Sequence, residues 1–257
     1  MKKIFLICTT VFLIHSISAQ SADSSGKLIF IGVNCGVSLP SGSFASGMYD
    51  HSYNSGYANT GGAIALNAGM QFNKPRSFGG FGIGAEILCM VSSNGFDAAE
   101  YEYRNNYSYR TGGTSEYSNA SGGSIFTTTA FAGPFIMIKN TGLRFHFLLG
   151  TSNSNVDRLT YTKTSHTTNL SDNIIRNPMS TGWGFATLTG ISWIAVPFDE
   201  SKNVKLSMSA DYISTALNFP LPTFYSTSGA TYTANPTFVS KGFAAWVLSV
   251  GIIYAFD

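Results

Sequence analysis

Residues 241–256, KGFAAWVLSVGIIYAF, show the pattern that decides the fold of this chain. Large apolar side chains recur at every second position: Trp246, Leu248, Val250, Ile252, Tyr254 and Phe256. The positions between them include small residues such as Ser249 and Gly251. Because successive side chains of a strand point to opposite faces, this alternation predicts a β-strand with one strongly apolar face.

Seven further segments of the chain are also predicted to be strands. Most of them place apolar side chains on one parity and polar or small side chains on the other. The segment 124–138 is predicted from its β-branched and aromatic residues, but its parity is ambiguous and it contains Pro134. The eight predicted strands are 28–39, 63–72, 78–91, 124–138, 143–150, 181–196, 204–212 and 241–256.

The connections between these strands fall into two classes. The short ones are rich in turn residues and lie at 73–77, 139–142 and 197–203. The long, polar ones lie at 40–62, 92–123, 152–180 and 217–240. Long and short connections alternate, as in a barrel with short periplasmic turns and long outer loops. The sequence therefore predicts an all-β fold, an eight-stranded antiparallel up-and-down transmembrane β-barrel.

The composition and the first residues indicate export. Charged residues make up 11% of the chain, against about 25% in an average protein. Lys2 and Lys3, the apolar run 4–14 and the small residues before Ala19 predict a signal peptide, 1–19, cleaved after Ala19 or Gln20. The alternative, a retained helical anchor, would need about 20 apolar residues. The remaining barrel domain, 20–257, has 13 basic and 13 acidic residues, so no nucleic acid partner is expected.

The two cysteines of the predicted mature chain, Cys35 and Cys89, fall on the first and third strands. These strands are not neighbours, and a disulfide needs Cα atoms within about 7 Å, so no disulfide is predicted. No spacing of cysteine and histidine suggests a zinc site. We therefore expect no metal and no cofactor.

Charged residues within the strands share the face opposite the apolar one. They are Glu86, Arg144, His146, Lys205 and Asp211. A basic side chain facing lipid at mid-depth costs about 2–4 kcal/mol, so these residues should point inward. We expect a polar network that fills the lumen rather than an open channel. The small residues expected to make room for it are Gly36, Gly69, Gly84 and Gly150.

Aromatic residues are spaced as in the girdles of a membrane barrel. Trp183 and Trp193 are ten residues apart on one face. At about 3.3 Å per residue and a tilt near 40°, this spacing spans roughly 25 Å of membrane. Trp246, Tyr254 and Phe256 complete the predicted girdles. The alternative places both tryptophans in the core of a soluble sandwich.

The chain resembles the small outer-membrane barrels of the OmpA/OmpX type and, more loosely, the porin-like barrel proteins of Bacteroidota. The resemblance rests on the Ala19-Gln20 cleavage region, the strand alternation and the terminal strand 246–256, whose Phe256 is followed by Asp257. It implies a location in the bacterial outer membrane, with outer-membrane lipid around the barrel. It also implies that the barrel-assembly machinery is a partner during biogenesis.

The long loops contain or adjoin eleven of the thirteen tyrosines. The segment 100–110 alternates on both sides of Asn105-Asn106, which predicts a projecting hairpin. Its tyrosines, Tyr101, Tyr103, Tyr107 and Tyr109, would form a binding surface. Alternatively, tyrosine stiffens the exposed strands and lines the upper girdle. Pairing of this segment into the barrel wall would raise the count to ten strands.

Three functions follow from this pattern. The leading one is a structural or surface-interaction barrel whose Tyr/Ser/Gly/Asn-rich loops contact an unidentified extracellular ligand. The second is a narrow pore for small solutes. The third, a lipid-modifying enzyme, would need histidine with serine or carboxylates near the outer rim. Asp50, His51 and His166 lie in long loops but form no convincing constellation, so no catalytic residue is assigned and no enzyme is expected.

Overall fold

The computed structural model describes residues 28–45, 57–72, 81–110, 112, 114–138, 141–168, 170–176, 179–195, 203–220, 223–226, 231–233 and 238–256. The predicted signal peptide lies outside these residues, as do Asp50 and His51.

Eight strands form one closed barrel in which each pairs antiparallel with its neighbours. With strands numbered in chain order, they are β1 (Leu28–Ser41), β2 (Ala58–Gln71), β3 (Phe81–Phe96), β5 (Ile125–Ile138), β6 (Leu143–Val156), β9 (Met179–Ile194), β10 (Val204–Pro220) and β13 (Phe238–Phe256). The first and last strands close the barrel, with Ile29 opposite Phe256. The predicted eight-stranded up-and-down topology is therefore confirmed.

The shorter connections, 72–80, 139–142 and 195–203, join strand ends on one side of the barrel, which we call the short-turn end. The opposite end is the long-loop end. Several strands run further toward the long-loop end than predicted: β6 continues to Val156 and β10 to Pro220. In β6 the added residues are mostly threonine, serine and asparagine, and pairs such as Ser152 with Gly184 continue the ladder. Apolar alternation thus marks only part of each strand, because backbone pairing needs no particular side chain.

Burial alternates along the strands as the sequence predicts. In β3, Glu86, Leu88 and Met90 are buried, whereas Ile87 and Val91 are exposed. The structure also resolves the ambiguous fourth strand: Phe131 and Phe135 point inward and Pro134 points outward. The β5–β6 ladder has no pair between Ala132 opposite Leu149 and Phe135 opposite His146. Proline has no N–H to donate to a neighbouring strand, which accounts for an interruption of the ladder at Pro134.

Side chains fill the barrel interior in layers. Nearest the short-turn end is an apolar cluster of Phe30, Phe135 and Ile253. Next comes a group that we call the charged cluster, consisting of Glu86, Arg144, His146 and Asp211. Toward the long-loop end lies an apolar core that includes Leu88, Phe131, Leu148, Leu188, Ile213 and Val247. The polar filling predicted for the lumen is therefore flanked by apolar layers on both sides.

A second sheet stands beyond the barrel at the long-loop end. Its strands come from three long loops and are β4 (Ser115–Gly122), β7 (Leu159–Ser165), β8 (Leu170–Arg176), β11 (Thr223–Ser226) and β12 (Thr231–Thr233). They pair in the order β12-β11-β8-β7-β4. We call this sheet, together with the helix α1 (Ala98–Arg110), the extension.

The helix α1 corrects the hairpin predicted for 100–110, and it adds no strand to the barrel. Asp97 caps its first turn, since Asp97 Oδ1 accepts the Glu100 N–H at 2.9 Å. One turn later Arg104 Nε lies 2.5 Å from Glu100 Oε1, a favourable pair at helical spacing. Within the described residues, no helix is long and apolar enough to cross a membrane.

Candidate functional site

Four of the five charged residues predicted for the lumen meet inside the barrel. Glu86 lies on β3, Arg144 and His146 on β6, and Asp211 on β10, and each is at most 4% exposed. These strands are not adjacent, because β5 separates β3 from β6 and β9 separates β6 from β10. The contacts of the charged cluster therefore cross the lumen.

His146 occupies the centre of the charged cluster. Its Nε2 and Asp211 Oδ1 form a hydrogen bond of 2.7 Å. On the other side of the ring, Nδ1 lies 2.9 Å from Glu86 Oε1. Only an imidazolium can donate from both nitrogens. A protonated His146 together with Arg144 would match the two carboxylates, leaving the cluster with no net charge.

Arg144 connects the charged cluster to the aromatic layer below it. Its Nη1 lies 2.8 Å from Glu86 Oε2, and its Nε donates to Ser192 Oγ at 2.8 Å. The guanidinium carbon is 5.0 Å from the ring centre of Phe30 and 5.6 Å from that of Phe135. A guanidinium combines such ring contacts with ion pairing more readily than an ammonium does.

Serine and asparagine side chains extend the network toward β1 and β13, the strands that close the barrel. Ser209 Oγ donates to Asp211 Oδ2 at 2.7 Å and lies 2.7 Å from Ser249 Oγ. Ser207 Oγ donates to Asn34 Oδ1 at 2.6 Å, which links β10 to β1 across β13. The sequence analysis missed these residues, because inward parity identifies many serines but not those that come close together.

Lys205 was predicted to belong to the network but lies apart from it. It is half-buried nearer the short-turn end, opposite Ile253. In the described part of the chain no ion pair joins it to Glu86 or Asp211, whose basic partners are Arg144 and His146.

Gly190 makes the room that the charged cluster needs. A Cβ at this position would collide with Asp211 Oδ1 and His146 Nε2. The glycines predicted for this part have other neighbours. A Cβ at Gly69 would meet the ring of Phe30, and one at Gly84 would meet the ring of Phe135. At Gly36 and Gly150 a Cβ would meet the backbone of neighbouring strands.

The charged cluster is enclosed. Beside it lies a cavity with room for roughly one water molecule, lined in part by Asn67, Arg144 and Asp211. The apolar layers above and below separate the cavity from both ends of the barrel. Among the residues that the structure describes, no group of three or more His, Cys, Asp or Glu is placed to hold a metal ion. The arrangement is that of a structural ion-pair network.

The outward face of the barrel is apolar. Positions between its two ends carry large side chains that are 40–52% exposed, such as Val33, Leu66, Ile87, Phe145, Leu206 and Val250. On the described barrel strands, no Asp, Glu, Lys, Arg or His occupies an outward position. Cys35 and Cys89 lie on this face, on two strands that β2 separates.

The five residues predicted for the aromatic girdles are all 39–53% exposed on the outward face: Trp183, Trp193, Trp246, Tyr254 and Phe256. At the short-turn end, Trp193 Nε1 donates to the Thr141 carbonyl at 2.9 Å. The ring of Trp246 contacts that of Tyr212, with 5.0 Å between their centres. Tryptophan and tyrosine with one polar atom satisfied suit a membrane interface.

The tyrosines of the extension mainly contact one another. The Tyr101 ring lies 5.2–5.6 Å from the rings of Tyr57, Phe96 and Tyr161. Tyr161 also contacts Tyr117 at 5.7 Å. Of the four tyrosines predicted to form a binding surface, Tyr101 therefore packs inside the extension, whereas Tyr103 is 52% exposed. The side chains of Tyr107 and Tyr109 lie outside the described residues.

The histidines considered for catalysis are not gathered into a described site. His166 Nε2 lies 3.2 Å from Glu116 Oε2 on the exposed surface of the extension. His51 lies outside the described residues, and His146 belongs to the charged cluster. The expectation that the chain is not an enzyme remains a prediction.

Eight antiparallel strands closed in chain order form an up-and-down barrel, the fold predicted from the sequence. Among solved structures, the chain is similar to Neisserial surface protein A (14% identity, TM-score 0.37, covering 89% of this chain and 97% of that one). It is also similar to Ail, the attachment invasion locus protein of Yersinia pestis (12%, TM-score 0.39, 89% and 98%). A third is a major outer membrane protein from Thermus thermophilus (12%, TM-score 0.37, 90% and 100%). No protein-family model and no curated protein sequence matches the chain.

Proposed function

We propose that this chain is an exported barrel of the bacterial outer membrane that acts through its extension. The observation that carries the proposal is the uncharged apolar belt around the barrel. Soluble monomers rarely expose a contiguous apolar patch beyond a few hundred Å². Here every barrel strand contributes exposed apolar side chains, and the charged residues of the same strands point inward. A surrounding of hydrocarbon accounts for both arrangements.

A charge placed on the belt tests the membrane assignment. Leu248 is 48% exposed near the middle of β13, and Leu248→Arg should lower the free energy of unfolding in lipid vesicles by about 2–4 kcal/mol. The matched control, Ser93→Arg, places the same charge outward near the long-loop end of β3, where the cost should be about 0–1 kcal/mol. Urea titration followed by heat-modifiable gel migration measures both. Equal effects of the two variants would contradict a membrane-embedded belt.

The extension supports a surface-interaction role. It joins segments of three loops into one sheet, and its aromatic side chains form a continuous chain of ring contacts. An extension that is already ordered before binding loses little conformational entropy when it binds a partner. The proposed partner is a glycan or a protein outside the cell.

Replacing part of the extension tests this role. Asn94 on β3 lies opposite Ile125 on β5, so a short Gly/Ser linker can replace 95–124 without stretching the barrel. We expect the variant to keep heat-modifiable migration, because the eight strands remain, and to lose binding of the chain to cells or glycan arrays. The variant Tyr103→Ala, which changes one exposed ring, serves as the comparison. Full retention of binding by the linker variant would contradict a role for this part of the extension.

A further inference from the structure

The strand β4 forms one edge of the extension. In the described sheet it pairs with β7 alone, and no strand lies on its other side. The backbone N–H and C=O groups along such an edge form a template on which another extended chain can pair. Proteins that keep a long edge strand therefore protect it by a bulge or by covering it.

Side chains of α1 form hydrogen bonds with the edge of β4 that does not pair with β7. Asn106 Oδ1 accepts the Tyr117 N–H at 2.6 Å, and Asn106 Nδ2 donates to the Tyr117 carbonyl at 2.6 Å. These are the two bonds that a residue of a neighbouring antiparallel strand would make. Glu102 Oε1 accepts the Ala120 N–H at 2.5 Å. Residues 102 and 106 lie four apart, which puts both side chains on one face of the helix.

A bulge in β4 sets the spacing of the backbone N–H groups that face α1. The register with β7 shifts between Ser118 and Ser121, and Asn119 has a φ of 53°. Asparagine tolerates this left-handed conformation better than most residues. In a regular strand, outward N–H groups recur every second residue. Because of the shift, the N–H groups that point away from β7 are those of Tyr117 and Ala120. They donate to Asn106 and Glu102.

We propose that α1 is an edge cap that keeps β4 from pairing with the same edge in a second copy of this chain. Copies held in one membrane plane meet at high local concentration, so a second copy is the partner that an open edge would encounter first. The cap uses side chains instead of a strand. It therefore blocks pairing without extending the sheet.

The double variant Glu102→Ala/Asn106→Ala tests the cap in the full-length protein in detergent. We expect amide exchange at Tyr117 and Ala120 to rise about tenfold, because both N–H groups lose their acceptors. We also expect a dimer whose fraction grows with protein concentration, measured by light scattering. The control Arg104→Ala lies on the same helix and makes neither edge contact, so it should show neither change.

Two results would overturn the proposal. One is that the Tyr117 and Ala120 amides stay protected in the double variant, since the helix side chains would then not be capping them. The other is that both amides exchange faster while the protein stays monomeric at every concentration. The single variant Asn106→Ala disturbs the helix less and should raise exchange at Tyr117 and give a smaller dimer fraction, while the Ala120 N–H keeps its Glu102 acceptor. It decides the question if the double variant loses heat-modifiable migration.

Discussion

At the scale of single residues, removing one member of the charged cluster should strongly destabilise the barrel. Each of its side chains is buried, and each charge is offset by an opposite charge within 2.9 Å. Removing one partner of a buried ion pair leaves the other without compensation, which typically costs 3–5 kcal/mol. Removing Glu86 affects two partners at once, because both Arg144 and His146 face its carboxylate.

We therefore expect Glu86→Ala to lower the free energy of unfolding by about 3–5 kcal/mol. Lys205→Ala is the matched control: it removes a charge from the same lumen, but one that stands apart from the cluster. Its effect should stay within about 0.5 kcal/mol. Urea titrations of both variants in the same lipid provide the measurement. A loss for Glu86→Ala no larger than that for Lys205→Ala would show that the cluster does not hold the barrel together.

Single residues also show where prediction from sequence ends. Parity alone places Glu86, Arg144, His146 and Asp211 inside the barrel, because a lipid surrounding would exclude charges from the opposite face. Parity does not reveal height or neighbours across the lumen. The close approach of Gly190 to the charged pair could therefore not be predicted, and Lys205 was assigned to a cluster that it does not join.

At the scale of elements, the eight barrel strands were predictable and the helix was not. Strand alternation is imposed by two different surroundings, the proposed lipid outside and packed side chains within. The segment 98–110 lies outside the barrel wall, where these two surroundings do not alternate, so its alternation of tyrosine with polar residues does not indicate a strand. Its helix depends instead on local contacts, the Asp97 cap and the Glu100–Arg104 pair, and on the docking of Asn106 against β4.

This account predicts that the cap matters more than the surface ion pair. Asp97→Ala should destabilise α1 by about 0.5–2 kcal/mol, because the Glu100 N–H loses its acceptor. Arg104→Ala removes only an exposed pair at helical spacing, so its effect on α1 should be smaller. Amide exchange along 100–106 compares the two variants directly. Faster exchange in Arg104→Ala than in Asp97→Ala would contradict the assignment of Asp97 as the cap.

At the scale of the whole molecule, the filled interior argues against passage of solutes. The apolar core around Phe131, Leu148 and Leu188 closes the lumen on the long-loop side, and Phe30 and Phe135 close it on the other. An eight-stranded barrel is just wide enough for side chains to fill, so the packing follows from strand number as well as from sequence.

We therefore expect the purified protein to give no conductance steps in planar bilayers at neutral pH. A known porin added to the same bilayer shows that insertion would be detected, and heat-modifiable migration of the sample shows that the barrel is folded. Reproducible steps from the folded protein would revive the hypothesis of a narrow pore and would require the core to open.

The extension is assembled from segments far apart in the chain, since β4, β7–β8 and β11–β12 come from different loops and are hydrogen-bonded into one sheet. An antibody that recognises its surface would read an epitope shared among loops, which a short synthetic peptide cannot reproduce. Substitution within the extension is constrained as well, because a change in one loop must still fit the strands that the other loops supply.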